Sequence, residues 1–171
     1  MPKIVLIEPR SPNLHIFSKF PSPRLGSVLL ATIMRERGWD VELFVEDFRT
    51  LDFGLIGSAD IVGLSTITST APRAYAIADR VRGLGLPVIL GGPHVTFLPD
   101  EGLLHGEYVL RGEAEETLPS FLDAWRSGAS LTAIPGLSFR ADGVAVHNPK
   151  ALPPHDLDAL PFPDFDLLKP D

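Results

Sequence analysis

The chain has 171 residues, 44% of them hydrophobic, a formal net charge of −7 and no cysteine, which suits one sizeable core and argues against disorder. Its scattered Lys and Arg exclude the basic stripe that a nucleic-acid backbone requires, and the lack of Cys excludes a disulfide, a thiolate nucleophile and a cysteine-ligated cluster within these residues. No apolar run approaches the roughly 20 residues of a membrane span and the amino terminus is too short for a signal peptide, which predicts a soluble, cytoplasmic protein with no membrane or nucleic-acid partner.

Lys3 to Ile7 has strand length and composition. The segment from Glu8 to Pro21 has no period and reads as a long loop, a class that tends to be functional. Ser22-Pro23 reads as a helix cap with Pro in the first turn, and Leu25, Val28, Leu29, Thr32 and Ile33 recur at helical spacing until Gly38. Val41 to Val45 is a second strand, Phe48 to Ile56 holds a short helix, and Ile61 to Leu64 is a third strand apolar enough to be buried on both faces. The hydroxyl-rich loop Ser65-Thr66-Ile67-Thr68-Ser69-Thr70 then opens a helix carried by Ala74, Ile77, Ala78 and Val81.

The fourth strand, Val88 to Leu90, runs into Gly91-Gly92-Pro93-His94-Val95. Two glycines at a strand's carboxyl end serve either a tight turn or a flat ligand lying against the main chain, and the stretch alone does not choose between them. Pro99 to Leu104 forms one or two helical turns, and Tyr108 to Leu110 is a fifth strand ending in Arg111-Gly112-Glu113. Leu118, Phe121, Leu122 and Trp125 build the last helix, with Glu113, Glu115 and Glu116 in its first turn to complement the dipole.

Strands alternating with helices predict an α/β fold, a doubly wound parallel five-stranded sheet of flavodoxin/Rossmann-like order, with ligands outside the strands' carboxyl ends where the order reverses. The expected organisation is an α/β domain over residues 1–130, a β-hairpin extension turning at Asp142-Gly143 over 131–148, and a Pro-rich linker or covering arm over 149–171.

Taken in order, Pro23-x-Leu25-Gly26, Gly38-Trp39-Asp40-Val41, Gly63-Leu64-Ser65, Gly91-Gly92-Pro93-His94, Arg111-Gly112-Glu113-Ala114-Glu115 and Leu160-Pro161-Phe162-Pro163-Asp164 resemble the cobalamin-binding domains that precede radical-SAM domains. The resemblance implies cobalamin as cofactor, its nucleotide tail detached from cobalt and inserted at the sheet's carboxyl edge. It also implies a following radical-SAM domain with a 4Fe–4S cluster and S-adenosylmethionine, in a parent methyltransferase. No cluster motif occurs here, so the chain is expected to be a fragment without catalysis of its own.

On that resemblance Gly91 and Gly92 supply a slot for the tail, and Ser65, Thr66 and Thr68 can bond its base, ribose or phosphate. His94, with Val95 beside it, is either a solvated loop residue or a neighbour of the corrin ring, and Gly112 between Arg111 and Glu113 permits close approach. Relatives that ligate cobalt through His carry Asp-x-His-x-x-Gly after the first strand. Here Asn13-Leu14-His15-Ile16-Phe17-Ser18 lacks its Asp and Gly, so the expected lower face is the apolar surface of Leu14, Ile16 or Phe17, with His15 the alternative and no metal ligand assigned. His105, His147 and His155 are too scattered for a metal site. A phospho-receiver would need an acidic pair after the first strand and an Asp ending the third, where this chain has Glu8 and Ser65-Thr66. A flavin-binding flavodoxin-like domain would place its hydroxyl-rich loop after the first strand.

Overall fold

The computed structural model describes residues 1–11, 22–152 and 156–171. Its elements are β1 (Lys3–Glu8), α1 (Leu25–Glu36), β2 (Asp40–Val45), α2 (Phe53–Ile56), β3 (Ile61–Ser65), α3 (Ala71–Gly83), β4 (Val88–Gly91), α4 (Pro93–Phe97), α5 (Pro99–His105), β5 (Tyr108–Leu110), α6 (Thr117–Ser127), β6 (Leu137–Ala141) and β7 (Val144–His147). They form one sheet in the order β2-β1-β3-β4-β5-β6-β7. The first five strands are parallel in flavodoxin-like order, as the sequence predicts. The hairpin is formed too, turning through Asp142 and Gly143 at φ 51° and 81°. It continues the sheet, because β6 pairs antiparallel with β5 from Tyr108↔Phe139 to Leu110↔Leu137 and covers the short edge that β5 would otherwise expose.

Strand alternation divides the core between the sheet's two faces. Ile4, Leu6, Leu43 and Ile89 pack with Val28, Ala31, Phe121 and Leu122 of α1 and α6. Val5, Ile7, Val62 and Leu90 pack with Ala74, Ile77, Ala78 and Val81 of α3 on the other side. All of Ile61 to Leu64 is buried, the two-sided burial expected of a central parallel strand. The order reverses between β1 and β3, so the crevice at their carboxyl ends is where a ligand would enter.

Two helix starts differ from the sequence reading. Helix α1 begins at Leu25, two residues beyond the expected Ser22-Pro23 start, and its N-cap Arg24 makes no side-chain cap. The Glu8 carboxylate at the end of β1 accepts the Arg24 amide instead, at 3.0 and 3.1 Å, so an acid sixteen residues upstream fixes this start. Helix α6 begins at Thr117 with no acid in its first turn, so Glu113 to Glu116 belong to the connection before it.

The arm is a covering one. The Asp164 amide donates to Thr32 Oγ1 at 2.8 Å, the Asp164 carboxylate pairs with Arg35, and Leu167 is buried against the α1 face of the core. Lys169 reaches Glu42 at 3.3 Å, and the Asp171 carboxylate accepts the Thr50 amide at 2.7 Å.

Candidate functional site

The carboxyl ends of β1, β3, β4 and β5 leave a cleft of about 440 Å³ between the sheet, the first turns of α1 and the start of α6. Its walls are chiefly apolar, from Leu6, Leu30, Leu64, Ile89, Leu110 and Leu118. Polar groups stand at its two ends. Arg24, Ser27 and Ser65 lie at the β1–β3 end, and Thr96, Glu113 and Glu115 at the β4–β5 end.

Arg24 organises the first end. Its Nη1 donates to Ser65 Oγ at 3.1 Å, its Nη2 to the Pro9 carbonyl at 3.0 Å, and its Nε lies 3.4 Å from Glu8 Oε1. One side chain thus ties together the exits of β1 and β3 and the start of α1. Burial lifts the Glu8 carboxyl above the usual carboxylate range even with the Arg24 charge and amide pulling the other way.

Thr96 organises the second end. Its hydroxyl donates to the Gly92 carbonyl at 2.9 Å and accepts the Gly112 amide at 3.0 Å, so the loops after β4 and β5 are locked to each other. Gly112 holds φ 84° with nothing within 4 Å of a built Cβ, a conformation that favours glycine in an open place.

The adjacent glycines do different things. A Cβ on Gly91 would meet nothing nearer than the Leu110 carbonyl at 4.0 Å, so its missing side chain leaves the cleft open. Gly92 holds φ 99°, and a Cβ there would run into the Thr66 carbonyl and lie 2.9 Å from the Thr66 amide nitrogen. Its missing side chain makes room for backbone, not for a ligand.

Of the residues the sequence singled out, Ser65, Gly91, Gly92, Gly112 and Glu113 line the cleft. Thr66 does not, being fully buried with its hydroxyl on the Gly91 carbonyl at 2.8 Å. Exposed Thr68 lies 3.3 Å from His94 Nδ1, and His94 Nε2 lies 3.1 Å from Glu101. That hydrogen bond from His94 is the chief reason the Glu101 carboxyl sits below the usual range. The ring also tilts against Tyr75 of α3, away from the cleft lining. Val95 is a core residue on the α3 face. Arg111 turns to the hairpin side, where its Nη2 donates to the Asn148 carbonyl and burial lowers its pKa. Leu14, His15, Ile16 and Phe17 lie outside the described residues.

Arg24, Ser27, Thr96 and Glu115 were missed. Pleat alternation was the available signal for part of this, since successive residues leaving a strand face opposite sides and only one of Ser65 and Thr66 can reach the α1 side. Among the described residues no group of three His, Cys, Asp or Glu could hold a metal, and no helix is long and apolar enough to cross a membrane.

Comparison with known proteins bears on this cleft. An uncharacterized methyltransferase of Pyrococcus horikoshii is 34% identical over 160 residues, covering 87% of this chain and 35% of that protein. The bacteriochlorophyllide d C-12(1)-methyltransferase of Chlorobaculum tepidum is 33% identical over 117 residues, 66% of this chain and 25% of that protein. The chain therefore spans about a third or less of these relatives. The cobalamin-dependent S-adenosylmethionine radical enzyme OxsB with aqua-cobalamin bound shares the fold at TM-score 0.73 and 22% identity, over 89% of this chain and 23% of that one. The radical S-adenosylmethionine methyltransferase TsrM from Kitasatospora setae, with cobalamin and a 4Fe–4S cluster bound, does so at TM-score 0.68 and 21% identity, over 94% and 31%. A family model, B12 binding domain, matches residues 17–122. That match takes in α1, the exits of β3, β4 and β5 and the start of α6, the parts from which most of the cleft is made, and by it the chain belongs to the B12-binding domain family.

Proposed function

We propose that the cleft holds the nucleotide tail of cobalamin in the base-off state, and that the chain is the cobalamin module of a larger radical-SAM enzyme, a methyltransferase. The observation that carries this is the absent Gly91 side chain, which keeps an apolar slot open at the sheet edge between two polar ends. A flat, largely apolar base suits the Leu6, Leu64 and Leu118 walls, while the Arg24 guanidinium and the Ser65 hydroxyl suit phosphate and ribose oxygens.

Cobalamin bound there would supply a cobalt centre able to carry a methyl group. The chain's own residues bind the tail, fix its direction between Arg24 and Glu115, and exclude water from the base. Residues 1–130 form the binding unit, 131–148 its edge hairpin, and 149–171 the arm toward a radical-SAM domain, with its 4Fe–4S cluster and S-adenosylmethionine, in a longer cytoplasmic parent. Thr68, His94 and Arg111 then act on loop geometry.

The test is titration of the chain with hydroxocobalamin, followed by visible absorption and by co-elution in gel filtration. A spectrum shifted to the base-off form and one equivalent retained on the column is the expected result. An unchanged spectrum with no retained cofactor would overturn the proposal, and a yellow complex with a flavin would put the flavodoxin-like reading in its place.

A further inference from the structure

One oxygen in the cleft is left without a partner. Glu115 Oε2 is buried and, among the described residues, accepts no hydrogen bond. The helix beside it does not explain the carboxylate, because α6 starts two residues later and its first amides are served by backbone, Leu118 donating to the Ala114 carbonyl at 2.8 Å and Ser120 to the Glu116 carbonyl at 3.3 Å. Among the described residues no cation serves it either. Arg24 is committed to Glu8, Ser65 and Pro9, Arg111 Nη2 to Asn148, and no ion pair to Glu115 exists among the described residues. Thr96, the hydroxyl that lines this end of the cleft, already donates to Gly92 and accepts from Gly112. Leu110, Ala114 and Leu118 line the same cleft.

Glu115 is half-buried, and the one oxygen that solvent does not reach, for which the described residues bring no donor, is costly to keep unless the ligand brings one. It repels anions and accepts from O–H and N–H donors, and the donors that a corrinoid ligand brings are neutral ones, a hydroxyl or a primary amide. We propose that Glu115 is a specificity-determining acceptor for such a donor, and that together with Arg24 at the opposite end it sets the direction in which the ligand lies. This rests on the reading of the cleft as the cobalamin site. Cobalamin offers both kinds of donor, a ribose hydroxyl on its nucleotide and primary amides around the corrin.

The experiment compares the chain with Glu115→Leu and Glu115→Gln, using hydroxocobalamin and cobinamide, the same corrin without the nucleotide. Each protein is melted without ligand and then titrated. Glu115→Leu is expected to weaken hydroxocobalamin binding about tenfold or more while raising the ligand-free melting temperature, because the lone acceptor is gone. Glu115→Gln, which keeps an acceptor oxygen, falls between. If the loss persists with cobinamide the donor is a corrin amide, and if it vanishes the donor is on the nucleotide, and both outcomes support the proposal. Unchanged affinity in Glu115→Leu would overturn it, as would a lower ligand-free melting temperature, which marks a merely structural residue. Failure of the unaltered chain to bind hydroxocobalamin would remove the underlying reading and this inference with it, an outcome separable from the others because it precedes any substitution.

Discussion

Thr66 directs both of its donors at one oxygen: its amide at 2.7 Å and its hydroxyl at 2.8 Å both reach the carbonyl of Gly91. The pair extends the Ser65↔Gly91 register of β3 and β4 one residue past the strands and holds the floor of the cleft rigid. Thr66→Val keeps the shape and the amide bond and loses the hydroxyl bond, at a cost of about 1 kcal/mol. Urea denaturation should show a lower midpoint with an unchanged slope; an unmoved midpoint would mean that the second bond contributes nothing.

Gly91 and Gly92 should respond to substitution in opposite ways. Gly91→Val places its Cβ where nothing lies nearer than the Leu110 carbonyl at 4.0 Å and sends its branches on into the cleft, so the strand folds with stability changed by about 1 kcal/mol or less, while cobalamin binding falls sharply. Gly92→Ala meets Thr66 backbone in a conformation that costs a side chain about 1–3 kcal/mol, so stability falls before affinity does. Paired melting and titration curves separate the two, and equal behaviour would contradict this division of labour.

Two carboxylates should pull stability in opposite directions as pH changes. Burial raises the Glu8 pKa, so the folded state holds its proton more tightly than the unfolded chain, and stability falls as pH rises through the interval from the usual carboxylate value up to the folded one. Burial would raise Glu42 too, but the Arg49 guanidinium and the Lys169 ammonium outweigh it and bring its pKa below the usual value. Its contribution is therefore full above that value and is lost as pH falls through the folded pKa. Glu8→Gln should flatten the fall in stability above the usual carboxylate pKa, and Glu42→Gln the fall below it. Denaturation midpoints measured on both sides of the usual carboxylate pKa provide the check, and changes in slope of the same sign in the two variants would refute the assignment.

If the carboxyl-terminal arm is part of the folded unit, Leu167→Ala should destabilise the α/β domain itself. Leu167 is 6% exposed in the core cluster that contains Val28 and Met34 of α1, and truncation of such a side chain costs about 2–5 kcal/mol. A melting temperature unaffected by Leu167→Ala would return the arm to the status of a free linker.

The strands, their order and the edge at which a cleft opens are legible because they follow from local apolar runs and from the count of alternating elements. The helix starts are not. Glu8 and Arg24 are sixteen residues apart, and nothing local in either announces that a buried carboxylate will hold the first amide of α1. Glu115 looks like an ordinary helix-dipole acid in sequence, because nothing local shows that α6 starts only at Thr117. The hydroxyl loop was overread for a different reason. Ser65 and Thr66 are alike in chemistry, but the pleat sends Ser65 to the cleft and Thr66 into the floor, so composition named both where geometry admits one. Val95 and His94 met the same fate one turn beyond the Gly pair, on the α3 side.

The two hydrogens on the Gly92 α-carbon are not equivalent in this protein. The one that an ordinary side chain would replace faces the Thr66 carbonyl. At φ 99° and ψ 174° the backbone there is close to the mirror image of an extended strand residue. Its requirement is thus one of chirality as well as of space. D-alanine introduced in place of Gly92 by chemical ligation would take up that backbone as readily as an L residue enters a strand, with its methyl in the other hydrogen's place and clear of the position that meets Thr66. Such a protein should melt within about 1 kcal/mol of the natural one where the L-alanine form does not, and the difference between the two enantiomers measures what handedness alone demands at the floor of the cleft.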